Sequence, residues 1–583
     1  MIWRVLRESH QRLCEGMLKY SLGVDCLSAS ARERQDTGKF GERRIMIFDS
    51  ESVFEENVIT VLKQHGWKDG VLRYPTERDL LDNWKDILYR NNNDIDRLGK
   101  YPLTDGEMTQ IIEQIETLRT PLALNSFVNG RTVSITRDNK EDVAHFGKEV
   151  SLYIYDRKEI AGGKSTYQIV QQPVYPAKNT MLNSRRGDLV LLINGMPLIH
   201  IELKKSGIPV SQATNQIEKY AHEGVFTGLF RLVQIFVAMT PDDAVYFANP
   251  GADKFNPSYY FHWADYNNEP ICGGQHPGKD EWKLFIGGTS GTAGLLSIPM
   301  AHQLIGFYTI ADSADGCLKV LRSYQYLAAN AISDVVRKCD WEQRPVTPGR
   351  PGGYVWHTTG SGKTMTSFKS AQLIADSHDA DKVVFLMDRI ELGTQSLKEY
   401  RSFADSETEV QGTENTGVLR DKLNSTDVND TLIVTSIQKM SNVKAGERGV
   451  TQTWLDQLAA RRIVFIVDEC HRSTFGDMLQ VIRRSFPNAL FFGFTGTPIL
   501  GENQKKNSTT AMVFGRCLHR YSIADGIRDH NVLGFDPYMV TTYKDSDVRR
   551  VVALDKAKAE STEDALADPI KAKVFQHYMD KSE

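Results

Sequence analysis

Five short, almost wholly apolar runs in the second half of the chain constrain its fold more than any other feature: YVWHT from Tyr354, VVFLMD from Val383, LIVTS from Leu432, IVFIVDE from Ile463 and ALFFGFTGT from Ala489. Runs without polar alternation belong to strands buried on both faces, and the helical stretches between them act as crossovers that leave the strands parallel. The first half reads differently. Shorter β-type runs, SLYIYD, YQIVQQPVY, LVLLING and PLIHIEL, occupy residues 150–205 with Asn194-Gly195 as a turn, and should form one sheet. A helical stretch, VSQATNQIEKYAHEG, and a strand, LVQIFVAMT, complete a mixed sheet with flanking helices. The fold class is α/β in both halves.

At 583 residues the chain exceeds a single core, and about 100 to 200 residues per domain gives roughly three to five domains. Residues 1–45, with the polar run SASARERQDTGKFGERR, read as a tail or linker. Order begins at DSESVFEENVITVLKQHGW, where Val53, Phe54, Val58, Val61 and Leu62 recur at helical spacing and Ser50 or Ser52 can cap. The mixed-sheet domain spans 46–290, the parallel-sheet domain 295–525, and 526–583 begins a further, incomplete domain.

A net charge of −4 and a pI near 6.4 exclude a protein that coats DNA through bulk charge, so any DNA contact must be local. The seven cysteines are scattered without a C-x-x-C pair, which argues against a zinc ribbon or a disulfide framework and fits a reducing cytoplasm. The N-terminus is charged and lacks an apolar signal core, and no run reaches the roughly 20 apolar residues of a membrane span.

The strongest motif follows the first apolar run: His357-Thr-Thr-Gly360-Ser361-Gly362-Lys363-Thr364, a loop between a buried strand and a helix beginning near Thr364. Gly360 and Gly362 let backbone N–H groups approach phosphates, with Ser361 between them. Lys363 can reach the β and γ oxygens, and the Thr364 hydroxyl can ligate magnesium. The strict loop pattern begins with glycine, where this chain has His357. The strand IVFIVDE ends in Asp468-Glu469-Cys470-His471. An acid at the carboxyl end of a parallel strand can hold the metal, here Asp468, and its neighbour Glu469 can orient water.

In the first half, Asp188 precedes LVLLIN, and the next strand carries Glu202-Leu203-Lys204. Residues two apart on a strand share a face, so Glu202 and Lys204 project together and could form a magnesium site with an adjacent cation. Gln216 and Tyr220, four apart on the following helix, share a face and could line the same cleft. A regular two-residue turn at Asn194-Gly195 would pair position 188 with 201 and put Asp188 opposite Glu202. An odd-length connection or a bulge is therefore needed, and Pro197 also disfavours a regular strand there.

The ordered series Tyr324-Gln325, the phosphate loop, Asp388-Arg389 with Leu392 and Gln395, Thr435-Ser-Ile-Gln438, Asp468 to His471, and Thr495-Gly-Thr497-Pro498 resembles the motif set of superfamily two helicases, whose motor domains are RecA-like. The resemblance implies that Gln325 reads adenine, that Arg389 and Thr435 touch the DNA backbone, and that Thr495 and Thr497 couple nucleotide state to DNA grip. The Asp188, Glu202, Lys204 pattern with Gln216 and Tyr220 resembles D…E-x-K nucleases with the Q-x-x-x-Y extension of RecB-like enzymes. That family has a further acid in a pattern like Ser50-Glu51-Ser-Val-Phe54-Glu55; Glu55 is assigned, with Glu51 and Glu56 as rivals.

Together with NGMPLIHIELKKSG, GGYVWHTTGSGKT, DECHRSTFG and GFTGTPI, these features resemble the restriction subunit (HsdR) of type I restriction enzymes from about residue 46 onward. The resemblance implies ATP- and Mg2+-dependent translocation and cleavage of unmodified double-stranded DNA, with methyltransferase and specificity subunits as partners and no membrane. Only 85 residues follow Pro498, while a second motor domain needs roughly 150, so the expectation is a chain truncated before the arginine finger and the subunit-docking helices. Two alternatives stand beside this reading: another nuclease–helicase fusion, or a nucleotide- and DNA-binding module without turnover.

Overall fold

The structure is a computed structural model that describes residues 48–160, 163–175, 185–251, 254–273, 280–343, 345, 348–387, 390–404, 410–447, 450–471, 475–501, 509–532 and 545–580. It divides into two compact units, 1–532 and 533–583. In the second unit, the helices Asp545–Ala557, Thr562–Ala567 and Pro569–Asp580 pack around Ala553, Ala557, Ala565 and Phe575.

Among the described residues the first unit holds two large sheets and two two-stranded ribbons. Its first half contributes β1 (Val71–Arg73), β2 (Thr132–Thr136), β3 (Glu149–Tyr153), β4 (Tyr167–Gln171), β5 (Leu189–Ile193), β6 (Met196–Leu203), β7 (Ile235–Met239) and β8 (Ala244–Ala248). Six of these form a mixed sheet in the order β1-β4-β5-β6-β7-β8, parallel at β1/β4 and β6/β7 and antiparallel elsewhere. Every residue of β4 to β8 is buried, so both faces of this sheet are covered.

The run SLYIYD does not join that sheet, contrary to the sequence expectation. It forms β3, which pairs with β2 in a separate antiparallel ribbon. The reason is its alternation: Val150 and Leu152 are buried beside Val133 and Ile135, while the residues between them face outward. Such a strand has only one apolar face, whereas the sheet interior takes strands apolar on both.

The β5/β6 hairpin turns through Asn194 and Gly195, both at left-handed φ values of 52° and 84°. Its ladder then slips by one residue between Leu191 and Leu192, leaving Leu198 unpaired, so that Leu189 faces Ile201. This is the bulge that the spacing of the acids demands: one residue further on, Asp188 comes level with Glu202.

After a small ribbon of β9 (Thr309–Asp312) and β10 (Cys317–Val320), the second sheet is built from β11 (Arg350–His357), β12 (Lys382–Met387), β13 (Val410–Gly412), β14 (Leu432–Ser436), β15 (Ile463–Val467), β16 (Leu490–Thr495) and β17 (Cys517–Tyr521). Its order is β13-β14-β12-β15-β16-β11-β17, with every pairing parallel. The five apolar runs are its five central strands; β13 and β17 are the edges. One continuous buried cluster, running from Phe48 to Leu518, includes apolar residues of both sheets. No helix among the described residues is long and apolar enough to cross a membrane.

Candidate nuclease and nucleotide sites

The helix Glu51–Gln64 starts at Ser50, whose hydroxyl accepts from the Val53 N–H, and its buried face carries Phe54, Glu55, Val58 and Leu62 towards the mixed sheet. The three glutamates of its first turns part company. Glu56 points outward, pairing with Arg73 at 2.6 Å and accepting from Gln171. Glu51 is half-exposed, 3.7 Å from Lys204 Nζ. Glu55 is buried; one carboxyl oxygen accepts from Gln172 at 3.2 Å and the other, Oε1, has no partner. Burial raises its pKa, against the hydrogen bonds from Gln172 and Gln171, and the charge of Asp188 adds to the rise.

Asp188, Glu202 and Lys204 come together. Asp188 accepts from the Leu203 N–H at 2.7 Å, and Lys204 Nζ lies 3.4 Å from Glu202 Oε1. The Asp188 and Glu202 carboxyls contact each other, and burial first, then this like-charge neighbour, pushes Asp188 far above the usual carboxylate range; burial also raises Glu202. Tyr220 sits close enough for both acids to act on its phenol. It donates to the Arg186 carbonyl at 2.8 Å and accepts from Gln216 at 2.6 Å, so the two helix residues form one connected pair.

Two carboxyls held this close favour a cation between them, and Glu202 Oε2 and Glu55 Oε1 accept no hydrogen bond. Among the described residues no group of three or more His, Cys, Asp or Glu side chains is assembled to hold a metal ion. The Asp188 and Glu202 carboxyls would suit magnesium, which keeps several waters and takes one or two carboxylates.

Sequence reasoning overlooked two neighbours of this cluster. His200 is fully buried, two residues before Glu202 on the same face, and the stripe His200-x-Glu202-x-Lys204 was there to be read. Gln172 follows β4 at φ 50°, a placement no sequence pattern signals.

In the second sheet, β11 runs into the phosphate loop and the helix Lys363–Ser377. Gly360 and Gly362 sit at φ 82° and 76°, and a Cβ on Gly362 would lie 2.8 Å from Gln325 Nε2. The buried Ser361 hydroxyl donates to the Thr358 carbonyl at 2.6 Å. Lys363 Nζ lies 3.6 Å from Glu469 Oε1, so the loop lysine and the strand-end acid face one another. Asp468 accepts from the Glu469 N–H at 2.9 Å, and Glu469 itself is left-handed at φ 46°. Thr364 is half-buried in the first turn of the helix.

Gln325 is buried against the loop from behind. Its Oε1 accepts from the Arg322 N–H at 3.0 Å, and its Nε2 donates to the Ser361 and Gly362 carbonyls at 3.4 and 3.3 Å. Tyr324 donates to the Ser361 carbonyl at 2.7 Å and stacks on Tyr521 of β17 at 3.7 Å. His471 Nδ1 lies 2.9 Å from Thr495 Oγ1, which also accepts from the Thr497 N–H, linking the ends of β15 and β16. Thr435 is buried, its hydroxyl 2.8 Å from that of Thr413. Asp388 and Arg389 lie outside the described residues.

Known proteins resemble the chain on both sides of this architecture. Residues 49–255 match the family described as type I restriction enzyme R protein N terminus, and residues 324–569 match the SWI2/SNF2 ATPase family. The endonuclease subunit of a Staphylococcus saprophyticus type I restriction enzyme is 36% identical over 510 residues, 86% of this chain and 48% of the relative. A Staphylococcus aureus (strain MSSA476) counterpart is 35% identical over 507 residues, 86% of this chain and 49% of that protein. The chain thus spans about half the length of these relatives. A putative Mycoplasma pneumoniae type I endonuclease subunit, C-terminal part, is 37% identical over 169 residues, which is 29% of this chain and 80% of that relative. The chain belongs to the family of type I restriction enzyme endonuclease subunits.

Proposed function

We propose that this chain carries the nuclease and the first motor domain of a type I restriction endonuclease: it binds ATP with Mg2+, moves on unmodified double-stranded DNA and cuts it, in company with methyltransferase and specificity subunits. The domain limits are those read from the sequence, nuclease at 46–290 and motor at 295–525. The observation that carries the reading is the pairing, in one chain, of a buried acid couple beside Lys204 with a phosphate loop whose lysine faces Glu469.

At the nuclease site Asp188 and Glu202 would hold Mg2+, with Glu55 on the N-terminal helix as a supporting acid. Bound there, magnesium supplies the charge that polarises a phosphodiester oxygen and acidifies water. Lys204 places a positive charge next to the scissile phosphate, and Gln216 with Tyr220 closes the cleft wall. In the motor, the backbone of Gly360, Ser361 and Gly362 cradles the phosphates, Lys363 neutralises the β and γ oxygens, and Thr364 with Asp468 would hold the metal. Glu469 orients the attacking water. Gln325, which grips the loop carbonyls, acts at the adenine side, while Arg389, Thr435, Thr495 and Thr497 link nucleotide state to DNA contact.

The motor half of this reading is tested by titrating the 583-residue chain with a fluorescent ATP analogue. Lys363→Ala removes a charge-assisted contact to phosphate and should weaken binding by roughly 10- to 100-fold; unchanged affinity would remove Lys363 from the nucleotide site.

A further inference from the structure

The acid pair leans on a second layer of side chains that the proposed reaction does not use. His200 is packed among Phe226, Phe236 and Tyr220, with ring centroids 5.4, 5.9 and 6.4 Å away. Its Nδ1 lies 3.0 Å from the hydroxyl of Tyr175, which is likewise fully buried. Its Nε2 lies 3.4 Å from Glu202 Oε2 without a hydrogen bond between them, and neither atom has a hydrogen-bond partner elsewhere.

The backbone makes room for this pair. A Cβ on Gly187 would stand 2.6 Å from the Tyr175 hydroxyl and 2.9 Å from His200 Cε1, inside contact distance of both. Any larger residue just before Asp188 would drive the phenol and the imidazole off the acid pair. Glycine therefore lets the strand end that carries Asp188 and the ring that faces Glu202 pack together.

We propose that Tyr175 and His200 form a relay that fixes the Glu202 carboxylate for cation binding, with His200 a positioning residue. With the Tyr175 hydroxyl donating to Nδ1, the proton of the neutral ring sits on Nε2, the ring nitrogen nearest Glu202 Oε2, and a small turn of that carboxylate on cation binding closes the hydrogen bond. Lys204 meets the other oxygen, Oε1, so the carboxylate is bracketed and loses the freedom to turn about its last torsion. Groups that orient metal-binding carboxylates in this way typically change metal affinity by about 10- to 100-fold when removed. The relay rests on the reading of Asp188 and Glu202 as cation ligands.

The test is Mn2+ binding to the full chain without nucleotide, followed by electron paramagnetic resonance, in parallel with binding of the ATP analogue as a measure of intact folding. His200→Leu should lower Mn2+ affinity by about tenfold or more, and Tyr175→Phe, which keeps the ring packed, should lower it less. His200→Gln, whose amide N–H can take the place of Nε2–H, should recover most of the loss. All three should bind the ATP analogue as the native chain does. If His200→Leu does not fold, Tyr175→Phe and His200→Gln carry the test. Native Mn2+ affinity in His200→Leu and Tyr175→Phe, with binding abolished in Asp188→Asn, would overturn the relay and leave the acid-pair reading standing. Native affinity in Asp188→Asn as well would overturn the acid pair, and the relay with it.

Discussion

The two candidate centres use the same chain in opposite ways. At the acid pair the chemistry is carried by side chains: Glu202 and Lys204 are buried, Asp188 partly so, and both carboxyls stand where their charge is resisted. At the phosphate loop it is carried by the backbone, held open by left-handed Gly360 and Gly362 at the start of a helix. A side-chain site depends on strand register, because a slip of one residue turns every side chain to the other face. A backbone site depends on loop dihedrals and little else.

That difference predicts independent failure, and the largest effect lies at the acids. In the assembled enzyme, Asp188→Ala, Glu202→Ala and Lys204→Ala should each cut DNA cleavage by roughly a thousandfold or more, several kcal/mol of charge stabilisation being lost at the phosphate. ATP hydrolysis should stay near native in all three. Cleavage assays on plasmid DNA beside phosphate-release assays decide it: a variant that still cuts is not part of the site. Joint loss of both activities would mean that the continuous core couples the centres.

The same difference explains what could be read in advance. The phosphate loop was legible because backbone binding needs a contiguous glycine pattern between a strand and a helix, and the five apolar runs announced the parallel sheet around it. Asp188, Glu202 and Lys204 were legible as residue types, and the spacing from 188 to 202 required an odd-length connection or a bulge; the structure uses a bulge at Leu198. What stayed hidden depends on three-dimensional packing: the separation of Glu55 from Glu51 and Glu56, which lie within one and a half turns of the same helix, and the approach of Tyr175 to Gly187. SLYIYD lies next in sequence to the sheet's strands, but its alternation leaves one apolar face and it pairs with β2 instead.

A pH titration sharpens the comparison on the motor side. Beneath the phosphate loop, His357 Nε2 lies 3.1 Å from His519 Nδ1, both rings buried. Burial lowers both, His519 to about 4, and for His357 the neighbouring His519 and Lys363 add to the effect. A histidine whose folded value is depressed gives stability that is complete above its unfolded value near 6.5 and is lost as pH falls from there towards 4. This pair should therefore lower the melting temperature between pH 7 and pH 5, against the raised Asp188 and Glu202 carboxyls, which act the other way in that window, and His519→Gln should remove the pair's share of the slope. A slope that the substitution leaves unchanged would show that this pair stays neutral for another reason or does not control acid stability.

The smallest effect is expected where the bulge is removed and the register of the acids is kept. Leu198 is the unpaired residue of the bulge, and the pairings on either side of it, Leu192 with Pro197 and Leu191 with Ile199, are those of a regular hairpin one residue shorter. Deleting Leu198 removes the bulge yet keeps Leu189 opposite Ile201, so Asp188 stays level with Glu202. The deletion gives up a fully buried leucine, about 1.5 to 3 kcal/mol of apolar burial, partly offset by the more regular ladder. Mn2+ affinity should then remain within about threefold of native, which is less than 1 kcal/mol, while the melting temperature falls modestly. The phosphate loop should not register the change at all. A loss of Mn2+ affinity of tenfold or more in a chain that melts near its native temperature would show that the bulge aims the acids by its own twist. Register would then be only part of what the side-chain site requires.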